Sequence, residues 1–535
     1  MSDARRWAER KISASLPEGQ SVGNRLTPID AVEYLSTVRC GLVASARGLA
    51  ENMSSFAWLW HLRRIDPLIV RGYLPNTETA IMRIAENISS ASDRAPEKDR
   101  GLVTSPSIFF DSHPINLQVI ARMLAISEAI DRVEGGLRRA QKGAEFEVRA
   151  GGFPDLVEDL ELEGLIEIYD KRAASVSSDW NPFLKRDLPG EDSNFPNFLD
   201  LRKVVGGFQL VPGWHGAANS RIYQRVPGQF VMGSRSLHEF ASSEEFRGFV
   251  GRMPEAQYVR SLLLLARILL VRAGLSPTMG TSVPLVGYAC FPHADLKALV
   301  ELWHESPDLR ISIEDDMEGP EASRLLDSLL ERKLWGENSS YGPVLRKGPG
   351  VLAVDLFALT VEINENLQID PSKGGALVNI PSFGFEQFVQ SSIDESPLAP
   401  PRYVRDLRGV SLRSNGKTIT DIDALFCRHG TLYIVSCKRP EFSREYDSGS
   451  HRNVRNVATT VEKATKDWLN VVALLERQPV GDNFDLSSFG RIVGIVVTPF
   501  LAFVRDRDLF SQLNENVPGL SRYMSFGELA IVLDG

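Results

Sequence analysis

The sequence predicts a multidomain α/β chain with a mainly α-helical N-terminal region (1–150), a mixed α/β middle region (151–370) and a C-terminal α/β core (376–535) of element order αβββαβ. Three observations predict it. At 535 residues the chain exceeds what one hydrophobic core ordinarily serves. Helix-start signals and helix-compatible runs dominate the first 150 residues. Residues 418–426 and 432–438 then read as a strand pair around a glycine turn, and a long amphipathic segment and a short apolar run follow it.

In the first region, residues 28–52 are continuous and helix-compatible, and Asn76-Thr77-Glu78-Thr79 resembles a capped start before Ala80–Ile84. Pro114 suits the first turn of a helix running to about Lys142. Its Leu117, Ile120, Met123 or Leu124, Ala129 or Ile130, Val133 and Leu137 form an apolar stripe of the kind that faces a core.

In the middle region, Pro154 to Gly164 followed by Leu165–Asp170 can be read as the end of a helical pair and a β wing, with a weaker echo at Arg324–Trp335. A helix followed by a strand is equally common in any α/β domain. Residues 177–235, rich in Pro, Gly, Ser and Asn, are expected to be loop-dominated; Trp180, Phe183, Phe195, Trp214 and Tyr223 there either stack on bases or pack the loop onto the body. Pro371-Ser372-Lys373-Gly374-Gly375 is the clearest linker signal.

In the last region, 418–426 and 432–438 each alternate apolar and polar residues, and Arg428-His429-Gly430 supplies the turn of a β-hairpin. Residues two apart share a face, so Asp421 and Asp423 project to one side of the first strand, and Ser436 and Lys438 to one side of the second. Pairing the strands brings two carboxylates, a hydroxyl and an ammonium together. Phosphodiester cleavage needs such a set: the carboxylate holds a hard cation, and the lysine offsets charge on the attacked phosphate. Val454, Val457, Val461, Ala464, Trp468, Val471 and Leu475 then repeat at helical spacing over 454–477, and Arg491 to Thr498 reads as a buried strand.

Composition narrows the function classes. A hydrophobic fraction of 43% with 24% charged residues is that of a folded globular protein. Cys40, Cys290, Cys427 and Cys437 show no Cys-x-x-Cys spacing, which argues against a disulfide scaffold or structural zinc and fits a reducing cytoplasm. The N-terminus carries no apolar signal core, and Ser261–Leu275 is short and interrupted by Arg267 and Arg272, so a soluble cytoplasmic protein without a membrane partner is expected. The net charge of −9 argues against indiscriminate coating of nucleic acid. Residues 401–466 nevertheless carry 13 Lys and Arg against 7 Asp and Glu, a basic island that would focus a polyanion on the hairpin. His429 and His451 flank it without a partner at metal-ligand spacing, and no phosphate-loop, Gly-x-Ser-x-Gly or His-Glu-x-x-His motif is present.

The order of these elements resembles the PD-(D/E)XK, or restriction-endonuclease-like, nuclease superfamily over roughly residues 376–535. Gly384-Phe385-Glu386-Gln387-Phe388-Val389 stands where the family has its opening helix, Gly409–Arg413 where it has its first strand, and Asp423 and Lys438 where it has its aspartate and acid-x-lysine. The family's usual Glu or Asp in acid-x-lysine is Ser436 here, a weaker magnesium ligand. The resemblance implies a Mg2+- or Mn2+-dependent endonuclease acting on DNA, with Asp423, Lys438 and Ser436 catalytic. Asp423, Asp421, Glu386 and the Cys437 carbonyl are the implied metal ligands, and Arg413, Arg439, Lys463 and Lys466 the candidates for binding nucleic acid. Lys463 and Lys466 can equally form a solvated helix face. Modules of this class serve in restriction and phage defence, which by fold-level analogy adds a homo-oligomer or a defence-system component as expected partner. A degenerate module that binds nucleic acid or a partner without cutting is the alternative.

Overall fold

The computed structural model describes, short breaks apart, residues 2–63, 75–175, 209–212, 221–224, 288–292, 344–359, 379–440 and 451–534. The chain divides into two compact units: Met1–Ala140, Glu145–Val157 and Arg186–Gln368 form the first, and Gln141–Ala144, Glu158–Lys185 and Ile369–Gly535 the second. No helix among the described residues is long and apolar enough to cross a membrane.

The N-terminal region is mainly helical: α1 (Ser2–Ala14), α2 (Pro28–Ala50), α3 (Ser55–Leu62), α4 (Pro75–Ser90) and α5 (Pro114–Lys142). Helix α2 starts as its sequence dictates, with Pro28 in the first turn and Thr27 accepting the Asp30 N–H at 3.3 Å. On α5 the expected stripe is buried from Ile120 to Leu137, but Leu117 is exposed. Strands β1 (Arg25–Leu26), β2 (Gly101–Thr104), β3 (Ser107–Phe110), β4 (Phe146–Val148) and β5 (Pro154–Leu156) accompany these helices in small antiparallel pairings.

Helix α6 (Leu160–Ser175) occupies the segment read as a β wing. The run Leu165–Asp170 is therefore helical: Leu165, Ile166 and Tyr169 are buried at helical spacing, and that apolar face packs in the second unit with residues of 404–523. Two short strands, β6 (Gln209–Pro212) and β7 (Arg221–Gln224), pair within the stretch expected to be loop. The rest of that stretch, Arg324–Trp335, Ser261–Leu275 and the linker at 371–375 lie outside the described residues.

Strands β8 (Tyr288–Pro292), β9 (Leu345–Gly348) and β10 (Val351–Asp355) form a sheet of order β8-β10-β9 in the first unit. Against it a buried charge cluster closes: Arg63 grips Glu86 through Nε and Nη2 at 2.6 and 2.8 Å and reaches Asp355 at 3.2 Å, while Arg346 lies 3.9 Å from Asp355 and donates to Ser55. Burial pulls the Arg63 guanidinium toward neutrality, but Glu86 and Asp355 outweigh it and keep it cationic.

The second unit continues with α7 (Asn379–Asp394), α8 (Arg402–Arg405), β11 (Leu412–Ser414), β12 (Lys417–Thr420), β13 (Ala424–Arg428), β14 (Thr431–Cys437), α9 (His451–Arg477), β15 (Arg491–Thr498), α10 (Arg507–Phe510), β16 (Tyr523–Ser525) and α11 (Phe526–Asp534). Its sheet has the order β13-β14-β15-β16; β13 runs antiparallel to β14, and the other pairs are parallel. Parallel β14 and β15 need a crossover, and α9 supplies it. Alternation along β14 sends Leu432 and Ile434 to one face, where Val454, Val461, Trp468, Val472 and Leu475 of α9 cover them. Tyr433, Val435 and Cys437 go to the other, against Phe385, Val389 and Ile393 of α7 and Leu529 and Val532 of α11. Gly494 lets α9 lie close, since a Cβ there would meet Val472 at 2.8 Å.

The single strand expected over 418–426 is broken. Residues 417–420 pair with β11 in a separate sheet, Ile422 makes one isolated parallel bridge to Arg408, and the main sheet begins only at Ala424. The strand expected at Gly409–Arg413 lies instead at Leu412–Ser414, and upstream of it the Gly409 N–H bonds the Ile422 carbonyl.

Candidate active site

The β13–β14 turn sets the register. His429 and Gly430 both have positive φ (48° and 77°), the backbone of a two-residue primed turn whose twist matches the flanking strands. Pairing then runs from Arg428↔Thr431 to Ala424↔Val435, and just beyond its end the Asp423 and Ser436 side chains meet. The cross-strand pair Phe426 and Tyr433 stacks with ring centroids 4.6 Å apart, which reinforces that register.

At this end of the hairpin the sequence candidates converge on one carboxylate oxygen. The Cys437 N–H donates to Asp423 Oδ2 at 2.7 Å, the Ser436 hydroxyl donates to the same oxygen at 3.2 Å, and Lys438 Nζ lies 4.0 Å from it. Lys438 is 47% exposed, whereas Ser436 is buried. Asp423 Oδ1 has no hydrogen-bond partner among the described residues. Helix α7 arrives beside this group: Glu386 is half-buried, and one turn on the Gln390 side-chain amide donates to the Asp423 backbone carbonyl. The helix end is fixed as well, because Asp394 takes both Nη atoms of Arg408, the bridge partner of Ile422, at 2.8 and 2.6 Å.

Burial holds the Asp423 carboxyl above its usual range; Lys438, the Cys437 N–H and the Ser436 hydroxyl oppose that shift, and Asp421 adds to it. Glu386 is raised too, first by burial and then by the Asp423 charge, with Lys438 opposing. The buried Cys437 thiol is pushed well above its ordinary value by burial, Asp423 and Glu386, so its sulfur stays protonated and only its carbonyl is a hard donor.

Asp423, Ser436, Cys437 and Lys438 are thus brought together, and Glu386 shares their field. Asp421 is exposed in the break between β12 and β13, and only its charge is felt at Asp423. Arg413 is exposed on β11 with its backbone bonded to Asn483 and Asp482, and Arg439 follows Lys438, half-buried. Lys463 is exposed on α9, and Lys466 is engaged by Asp506 at 3.0 Å. Sequence reasoning missed Gln390, although its place four residues after Glu386 puts both on one helix face.

A divalent cation fits the donor chemistry here within limits. Among the described residues no group of three or more His, Cys, Asp and Glu side chains is arranged to hold a metal. Magnesium, however, is commonly held by one or two carboxylates with water completing its shell. Asp423 and Glu386 are two such groups; the Asp423 charge disfavours ionisation of Glu386, and a bound cation would offset that repulsion. Comparison with protein-family models, curated proteins and solved structures finds no match for this chain.

Proposed function

We propose that this protein is a divalent-cation-dependent endonuclease of the restriction-endonuclease-like class, acting on DNA through its second unit. The convergence of Cys437 N–H, Ser436 and Lys438 on Asp423 Oδ2 carries the reading, because it joins an acidic and a basic group at the open end of a strand pair. Asp423, Glu386 and the Cys437 carbonyl would hold Mg2+ or Mn2+, and the bound cation would supply Lewis-acid stabilisation of negative charge on the scissile phosphate. Ser436 and the Cys437 N–H both act on Oδ2, which favours the ionised carboxylate and fixes its orientation. Lys438, half in solvent, can reach a phosphate and offset the charge that develops on its oxygens. The basic excess of residues 401–466 would draw the polyanion to this end of the unit. The first unit is assigned target or partner recognition, and restriction or phage defence is the setting by analogy with other modules of this class.

Ser436 favours a second reading, a module that binds nucleic acid without cutting it, since a hydroxyl stands where a third carboxylate would strengthen cation binding. Incubating full-length protein with plasmid, linear and single-stranded DNA, with and without Mg2+ or Mn2+, separates the two. Cation-dependent cleavage supports the nuclease, and cation-independent binding without cleavage supports the second reading.

A further inference from the structure

The β13–β14 ladder stops at Ala424, one residue short of Asp423. The Ile422 carbonyl is diverted to the Gly409 N–H, and the Cys437 N–H is taken by the Asp423 side chain instead of a strand carbonyl. Because β13 is the edge strand of its sheet, groups on its outer side have no strand partner; at its far end the Cys427 N–H is satisfied by Leu398. The Asp423 carbonyl is met by Gln390, and since a carbonyl only accepts, the amide nitrogen of Gln390 must face it. Gln390 and Glu386 stand four residues apart on α7, so the helix face that anchors the Asp423 backbone also presents the second carboxylate.

We infer that Gln390 is a positioning residue that couples the two carboxylates of the site, setting where Asp423 stands relative to Glu386 and thereby the fit of a divalent cation. The inference rests on the nuclease reading above. Removing the amide leaves the Asp423 carbonyl without its donor and frees the bend between Ile422 and Ala424 to move away from α7. A hydrogen bond that orients a metal ligand typically contributes about 10- to 100-fold to affinity or activity.

The test is calorimetric titration of Mn2+ into the full-length protein and its Gln390→Met variant, which keeps side-chain length and removes the donor, alongside DNA-cleavage kinetics. Mn2+ binding is expected to weaken about tenfold and kcat to fall with KM for DNA unchanged, while circular dichroism and Tm stay near wild type. Combined with Glu386→Gln, Gln390→Met is expected to add little further loss, because the spacing it sets no longer matters. If Gln390→Met does not fold, Gln390→Ala removes the same donor and preserves helix propensity. A wild type that binds and cuts, with Gln390 variants that do both equally well or lose affinity additively with Glu386→Gln, overturns this inference alone. A wild type that neither binds Mn2+ nor cuts DNA overturns the nuclease reading along with it.

Discussion

Two charge clusters, one in each unit, each set an Asp and a Glu against basic side chains and differ in how they are closed. In the first unit Arg63, Glu86, Arg346 and Asp355 are almost entirely buried, and two positive charges balance two negative ones. In the second, Asp423 and Glu386 are partly buried carboxylates each raised first by burial, Glu386 also by the Asp423 charge, and the cation that opposes both shifts, Lys438, stands half in solvent. A charge-balanced cluster this deeply buried holds elements together, even with Arg346 Nε and Nη2 left without hydrogen-bond partners among the described residues. An open and under-compensated one costs stability, and that cost is expected where a substrate or cation completes it. The contrast supports a structural role for the first cluster and the proposed function for the second.

Breaking the first cluster should give the largest effect on stability. Asp355→Asn leaves two buried guanidinium groups short of a counterion and is expected to cost about 3–5 kcal/mol, read from urea unfolding. Cleavage per folded molecule should stay at the wild-type level. A loss of cleavage at full stability would put the first cluster in the chemistry and collapse the contrast.

In the second cluster, Asp423→Asn keeps the shape and removes the charge. Cleavage is expected to fall about 10²–10³-fold, the scale for losing one preorganised electrostatic partner, with partial rescue by Mn2+ and no loss of folding. An unchanged calorimetric Mg2+ titration would make Asp423 a surface carboxylate.

Ser436→Glu tests the same cluster by addition, placing a carboxylate beside Asp423. Mg2+ binding should tighten about tenfold, and Mg2+ should raise Tm more than in wild type because the bare variant is repelled. Unchanged metal affinity would mean that Ser436 serves only as a donor to Asp423.

The smallest effect is in pH dependence. Asp423 and Glu386 are both raised in the folded state, so just above about pH 4 the native protein keeps protons that the unfolded chain has released. Stability from this source is therefore present at low pH and lost as pH rises through the folded pKa values. Cation binding needs the ionised groups, so cleavage should rise over the same window. Asp423→Asn should flatten the stability profile there; an unaltered profile would remove Asp423 from the account.

The hairpin and the long helix are legible in the sequence: apolar runs at Ala424–Cys427 and Leu432–Val435 flank a His-Gly turn, and apolar steps of three and four run through 454–475. The break at 421–423 leaves only a slip of phase in the sequence, since the adjacent Thr420 and Asp421 would put Ile419 and Ile422 on opposite faces of one continuous strand. What stops the strand is tertiary: the Ile422 bridge to Arg408 and the Gln390 amide on Asp423. At Leu165–Asp170, Leu-Ile-Glu-Ile-Tyr satisfies a strand pattern locally, and burial of Leu165, Ile166 and Tyr169 together selects the helix. The pairing of Glu386 with the hairpin end was legible only through the family resemblance, and the shared field of Glu386 and Asp423 gives it a physical content.

The central claim is that the open cluster at the end of β14 cuts phosphodiester bonds with a divalent cation. Its most direct measurement is nicking and linearisation of supercoiled plasmid by wild type and Lys438→Ala, each with Mg2+ and with chelator, after circular dichroism has shown both to be folded. Cleavage by wild type only when Mg2+ is present, abolished in Lys438→Ala with the fold intact, is the predicted result. Full cleavage by folded Lys438→Ala, or wild-type cleavage that persists in chelator, would contradict it.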